Sequence, residues 1–518
     1  MRKSYIVKQK IKKFLSNLPG FRNYFQMEEE IRGLNRKLSV ISEPIAKHYA
    51  ELDLAAMKDR YSKRTELMRI LAETDKKHAE PVDPDELEIA ELLASRSAFV
   101  SIIIVNRNGG EKLRVLMNSF HERSFYDNFE IIFVDNASSD DSVSYMQSWK
   151  NEFSVKIIQN QSNLSFSAAN NQGVREASGD YLLFLNNDTE VTDGWLDELL
   201  IALFRAEKPG AIGAKLIYPH IPDGTVNEGK SYRIQHTGIS FSPVSWKKTF
   251  YYECLNTDNG ALDDRLDDKL IERAGVTAAV LLIKKDVFEE TGGFDEDYLY
   301  GYEDVDLGLK LVRAGYKNYC CPTCVLFHYE SATQLKDYSE ERENRWTHNA
   351  AILKGRWEKF LSEKIFTGKL LNETVYSKEK LLIAAAVHKE GIAPAAQRLL
   401  SSLENKGYIV RTFCPGETVD PYNIGLDADI LLSLSETYNL SKIHNVTPYI
   451  KKIAWIEKEP EKWCRQRYFD RFDKVFALNE EIRQYIDSNS AQRSMILDAG
   501  RGSADQLIES LLQIYEKK

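Results

Sequence analysis

Apolar positions change their period along this chain, and the changes divide it. Through residues 1–97 they recur at helical spacing. Val7, Ile11, Phe14, Leu15 and Leu18 come first, then Leu34, Leu38 and Ile41 as a partial heptad too short for a coiled coil. Pro81 and Pro84, set among acids, mark a linker. From Phe99 the pattern becomes short apolar runs separated by helical stretches. Residues 100–105, 130–134, 155–158, 181–184 and 278–283 read as strands. Helical segments are expected around Leu113 to Phe120, from near Ser139, from about Ser165 to Ala177, near Asp286, and from about Val305 to Ala314. Strands almost continuous in Ile, Val, Leu and Phe, alternating with helices, predict an α/β fold whose mostly parallel sheet is buried on both faces.

This block is expected to end near Thr333, giving a domain over 98–335. A charged helical linker over 336–378 follows, then a smaller Rossmann-like α/β unit over 379–518. That last unit opens with the apolar run 381–386 and has a helix from about Ala395 to Lys406, with Pro394 suited to its first turn.

Composition narrows the classes. A chain of 518 residues needs two or three cores, and 43% hydrophobic with 28% charged residues describes a water-soluble globular protein. A net charge of −9 argues against a general nucleic-acid binder, and no apolar run is long enough for a membrane span. The first twenty residues carry Arg2, Lys3, Lys8, Lys10, Lys12 and Lys13 around their apolar stripe, with no acid before Glu28. Such a helix lies on an anionic membrane or packs on a protein surface, and the sequence leaves both open. The expected location is cytoplasmic, with peripheral contact at the inner membrane face under the first reading. Cys320, Cys321 and Cys324 read as small buried strand residues, not as a metal site.

Three strands end in polar clusters: Asn106-Arg107-Asn108, Asp135-Asn136 and Asn186-Asn187-Asp188. Strand ends of a parallel sheet converge on one edge, where open α/β sheets bind ligands. One carboxylate among amides suits a divalent cation that also holds phosphates, although Asn-Asn-Asp is equally good turn chemistry. Asn170-Asn171 can face the same crevice or lie on the surface. Gly292-Gly293-Phe294-Asp295 leads into Glu303-Asp304-Val305-Asp306, with six acids between positions 295 and 306 set among tyrosines. Those acids can cap a helix, but they exceed what one cap requires. His328 closes an apolar strand.

Taken in order, these stretches resemble the inverting family 2 glycosyltransferases with the nucleotide-sugar-binding GT-A fold, of the branch that builds bacterial surface polysaccharides. The resemblance implies that Asp135 contacts the nucleotide base, with Val105 and Arg107 shaping the pocket. It implies that Asn170 and Asn187 also serve the nucleotide sugar, and that Asp188 and His328 hold Mg2+ or Mn2+. It makes Asp304 the general base, with Glu303 in support. The family's Asp-x-Asp signature is here Asn186-Asn187-Asp188, leaving one carboxylate. The partners implied are a UDP-, dTDP- or GDP-linked donor and a glycan or lipid-linked acceptor. A catalytically inactive sugar-binding scaffold, or transfer to a protein or small molecule, are the alternatives. The last unit resembles, more faintly, one half of a GT-B glycosyltransferase and is expected to be non-catalytic.

Overall fold

A computed structural model describes residues 43–60, 62–63, 91, 93, 95–221, 229–246, 249–262, 269–329, 340–414, 418, 420–500 and 502–516. The basic N-terminal stripe, the partial heptad, the 81–84 linker and Thr333 lie outside them. The chain divides into two compact units, 1–238 with 256–346, and 239–255 with 347–518. No helix among the described residues is long and apolar enough to cross a membrane.

The first unit is built on a ten-stranded mixed sheet. Its parallel half comprises β1 (Val100–Asn106), β2 (Phe129–Asp135), β3 (Val155–Gln159) and β4 (Tyr181–Leu185). Every residue of β2, and all of β1 except Val105, is buried. That is why these strands read as almost continuous apolar runs. The helices α1 (Gly110–Arg123), α2 (Ser142–Ser148) and α3 (Phe166–Glu176) fill the crossovers. Ser165 caps α3 by accepting the Ala168 N–H at 3.2 Å.

After β4 the sheet becomes mixed, with both antiparallel and parallel pairs. The two-residue β5 (Thr189–Glu190), α4 (Trp195–Arg205), β6 (Pro209–Ile217) and β7 (Ile234–His236) come next. A hairpin, β8 (Ile239–Trp246) with β9 (Thr249–Asn256), then interrupts the chain and belongs to the second unit. The first unit resumes with β10 (Ile271–Arg273), β11 (Val280–Lys284), α5 (Lys285–Glu290), α6 (Glu303–Arg313) and β12 (Lys317–His328). The strand order is β10-β12-β6-β11-β4-β1-β2-β3. Antiparallel β11 inserts beside β4, pairing Val280 with Leu185, so its first residues stand at the carboxyl end of β4.

Cys320, Cys321 and Cys324 are buried on β12, and burial pushes the thiols of Cys320 and Cys321 up to about 12 and about 11. A helical stretch over 43–60 packs Ala50 and Met57 against Ile217 and Val325, and Asp53 pairs with the buried Lys215 at 2.6 Å.

The second unit contains α7 (Glu340–Leu370) from Thr347 onward and a six-stranded parallel sheet. The strands are β13 (Leu382–Ala386), β14 (Ile409–Phe413), β15 (Ile430–Ser433), β16 (Lys451–Ile456), β17 (Lys474–Ala477) and β18 (Ser494–Ile496). They run in the order β14-β13-β15-β16-β17-β18. The helix α8 (Pro394–Asn405), with proline in its first turn, packs Leu399, Leu400 and Leu403 into the core.

Candidate active site

The polar strand ends do meet. β1 and β2 pair in register, so Asn106 stands opposite Asp135. The Asn106 side chain, fully buried, donates to Ser138 Oγ at 3.2 Å and accepts from Asn187 Nδ2 at 2.7 Å. The chain passes tightly over that amide pair at Gly109, where a Cβ would come within 2.0 Å of Asn106 Oδ1. Glycine is therefore required there by contact.

Asp135 is 3% exposed. Its Oδ2 accepts the Ser138 N–H at 3.0 Å, while its buried Oδ1 has no hydrogen-bond partner among the described residues. Buried acceptors are nearly always satisfied, so this oxygen is an open position. Its neighbour Asn136 is consumed structurally: both ends of its amide pin the 160–164 loop, through Asn160, Asn163 and Leu164.

Asp188 lies just past β4. His328 Nε2 stands 3.2 Å from its Oδ1 and Lys112 Nζ 3.4 Å from its Oδ2. Burial alone would raise this carboxyl, but His328 and Lys112 outweigh it and hold it down at about 2. The pairing of β12 with β5, His328 opposite Thr189, delivers the histidine. Its other nitrogen, Nδ1, faces Gln235 Oε1 at 2.8 Å. That bond aims Nε2 at Asp188, as an outer partner aims a metal-binding histidine. Two ligands about 2.1 Å from one cation at a right angle are roughly 3 Å apart. The Asp188–His328 separation fits that spacing. Among the described residues no third His, Cys, Asp or Glu joins this pair.

The third part is assembled on residues 277–279, ahead of β11. Asn186 N–H donates to Ala279 O at 2.9 Å, joining this turn to the end of β4. Ala278 N–H donates to Asp304 Oδ2 at 3.1 Å, and Val305 N–H to Asp304 Oδ1 at 2.8 Å. Burial nevertheless raises the Asp304 carboxyl above the usual range. Glu303 is 7% exposed, and its Oε2 has no hydrogen-bond partner among the described residues. Burial, and secondarily the Asp304 charge, push it well up. His236 supports the turn from behind: its Nε2 accepts the Thr277 N–H at 3.1 Å and its Nδ1 faces Asn256 Oδ1 at 3.2 Å. The short strand β7 thus serves both sides, Gln235 toward His328 and His236 toward the turn that holds Asp304.

Other expected residues sit differently. Arg107 is exposed and Val105 half-buried at the same edge. Asn170 is 2% exposed and spends its amide within its own helix, on Phe166 O at 2.9 Å. Its neighbour Asn171 reaches out instead, binding Phe294 O at 2.8 Å and Glu296 Oε1 at 3.0 Å. Phe294 packs with Phe166, Phe184 and Phe288. Gly293, at φ +59°, makes room for that cluster, since a Cβ there would meet Phe288 at 2.8 Å. Asp306 is fully buried against Tyr298 and Lys310, which makes it structural. Lys112, Gln235, His236 and Thr277 carried no signal in the sequence. Each matters through a partner at least 27 positions away.

The chain is similar to several known proteins. Over 256 residues, 49% of this chain, it is 32% identical to the O-antigen biosynthesis protein RfbC of Myxococcus xanthus, covering 19% of that protein. Over 226 residues, 40% of this chain, it is 25% identical to the N-acetylglucosaminyl-diphospho-decaprenol L-rhamnosyltransferase of Mycobacterium tuberculosis H37Rv, covering 68% of that enzyme. The chain spans less than a third of the curated relatives it matches at 30% identity or better. A solved structure, GalNAc-T7 with UDP, GalNAc and Mn2+, aligns with a TM-score of 0.36 at 19% identity over 45% of this chain and 43% of its own. Residues 101–269 match the family described as Glycosyl transferase family 2, so the chain carries a domain of that family.

Proposed function

We propose that the chain is an inverting glycosyltransferase that moves a sugar from a nucleoside-diphosphate donor to a hydroxyl of a growing bacterial polysaccharide or lipid-linked glycan. One observation carries this reading: the polar groups meet along one sheet edge. Asp135 is tied through Ser138 and Asn106 to Asn187, the chain neighbour Asp188 pairs with His328, and Asn186 N–H binds the turn whose Ala278 N–H holds Asp304. The relatives named for O-antigen biosynthesis and for transfer of rhamnose to a lipid-linked sugar support the acceptor class.

In this reading Asp135 Oδ1 accepts an N–H of the base, with Val105 and Arg107 at the pocket mouth and Asn187 nearer the ribose. Asp188 and His328 would hold Mg2+ or Mn2+, which neutralises the charge on the departing diphosphate. Asp304, fixed by two backbone N–H groups and raised by burial, takes the proton of the attacking acceptor hydroxyl. Glu303, protonated at neutral pH, adds no second charge to compete for that proton. Attack opposite the leaving diphosphate inverts the anomeric carbon.

The test is calorimetry with UDP, dTDP and GDP, with and without Mn2+, followed by nucleotide release from matching donors. One nucleotide should bind, more tightly with Mn2+, and Asp135→Ala should weaken it. If none of the three binds under either condition, the donor reading is wrong.

A further inference from the structure

The second unit carries a cavity of about 210 Å3 that transfer chemistry does not use. It opens over the carboxyl ends of β13, β15 and β16, through Val387 and His388, Leu434 and Glu436, and Glu457 and Lys458. From β13 the chain passes to β14 on one side, and from β14 it crosses to β15 on the other side of β13. Such a reversal opens the crevice in which parallel α/β sheets take ligands.

Its walls are of two kinds. Trp455, Trp463, Leu434 and Val387 supply apolar surface, and Trp455 is held by its Nε1–H donating to Leu497 O at 2.9 Å. The same lining also carries Glu390, Glu436, Glu457, Lys458 and His388. The Glu436 side chain is only 16% exposed, and its Oε2 lies 3.4 Å from His388 Nε2.

Charge decides what fits. Three carboxylates against one lysine and one histidine leave nothing to offset a diphosphate. The turn after β13, Val387-His388-Lys389-Glu390-Gly391-Ile392, has a single glycine and no phosphate-cradling spacing. A neutral ligand rich in hydroxyls fits both walls: carboxylates and imidazole bind its hydroxyls, while indole and aliphatic surface cover its C–H face. We propose that this cavity is a saccharide-binding site, taking a neutral sugar residue of a glycan apart from the transfer site.

The test uses the full chain without donor, with maltose, N,N′-diacetylchitobiose and methyl α-L-rhamnoside at millimolar concentration. Tryptophan fluorescence and saturation-transfer NMR read the binding. At least one sugar should bind saturably, and Glu436→Gln and Glu457→Gln should each weaken it about tenfold, as loss of a charged hydrogen bond does. Asp188→Asn should leave this binding unchanged, and UDP should not compete. Failure of all three sugars to bind, displacement by UDP, or indifference to both glutamate variants in folded protein overturns the proposal. Because no donor is present, a negative result leaves the transfer reading standing, and absence of transfer leaves this site standing.

Discussion

His236 makes the first unit acid-sensitive in a calculable way. The imidazole is 2% exposed, and burial chiefly, with His328 and Arg273 adding repulsion, lowers it from 6.5 to about 4. The folded state therefore holds it neutral, accepting from Thr277 N–H and facing Asn256. As pH falls below 6.5 the unfolded chain takes a proton that the folded chain refuses. Stability is complete above 6.5 and is lost progressively down to about 4. Between pH 7 and pH 5 this one group should cost about 2 kcal/mol. His236→Gln removes the titration while a side-chain amide can still accept from Thr277 and donate to Asn256. Urea unfolding of both proteins at pH 7 and pH 5 reads the effect, with the difference between them isolating His236 from every other titrating group. The wild type should lose about 2 kcal/mol more than the variant across that interval. Equal losses in the two proteins would refute the buried, neutral imidazole and the support it gives the Asp304 turn.

Three further outcomes follow from the same contacts. Gln235→Leu removes the acceptor that aims His328, and Mn2+ affinity by calorimetry should fall on the order of 10–100-fold, with an unchanged affinity refuting the role. Glu303→Gln resembles the protonated acid already present, so kcat at pH 7 should stay within about threefold of wild type, against the 10²–10⁴-fold expected for loss of a general base. A collapse of kcat on that scale would make Glu303 ionised and catalytic. Lys215→Met removes the ammonium that pairs with the Asp53 carboxylate at 2.6 Å and should cost about 3–5 kcal/mol in denaturant unfolding; a loss below 1 kcal/mol would detach the 43–60 helix from the first unit.

The sequence was most readable where one chemical pattern sufficed. β1, β2 and β4 are buried on both faces, so each appears as an apolar run with a polar end. Those ends are where Asn106, Asp135 and Asp188 stand. The mixed part was harder. β7 and β10 are three residues each, too short for a period to mark them, and β12 changes register between Cys321 and Val325. The β8–β9 hairpin sits inside the span read as the first domain, yet it packs in the second unit. Its backbone runs to Tyr376, with Phe241 N–H donating to Tyr376 O at 2.7 Å. Adjacent letters also conceal opposite faces of a helix. Asn170 turns in to bind its own helix while Asn171 holds the Gly293–Phe294 loop. The sequence could name the carboxylates but not Gln235 and His236, whose function lies wholly in what they touch.

The most direct test separates binding from turnover at the two ends of the polar edge. Nucleotide affinity with Mn2+ and transfer rate would be measured for Asp188→Asn and Asp304→Asn alongside wild type. Asp188→Asn should lose the Mn2+-dependent gain in nucleotide affinity. Asp304→Asn should keep that affinity and lose on the order of 10²–10⁴-fold in rate. Near-wild-type turnover in Asp304→Asn, or unaltered Mn2+ dependence in Asp188→Asn, would contradict a single edge that holds the donor at one end and the base at the other.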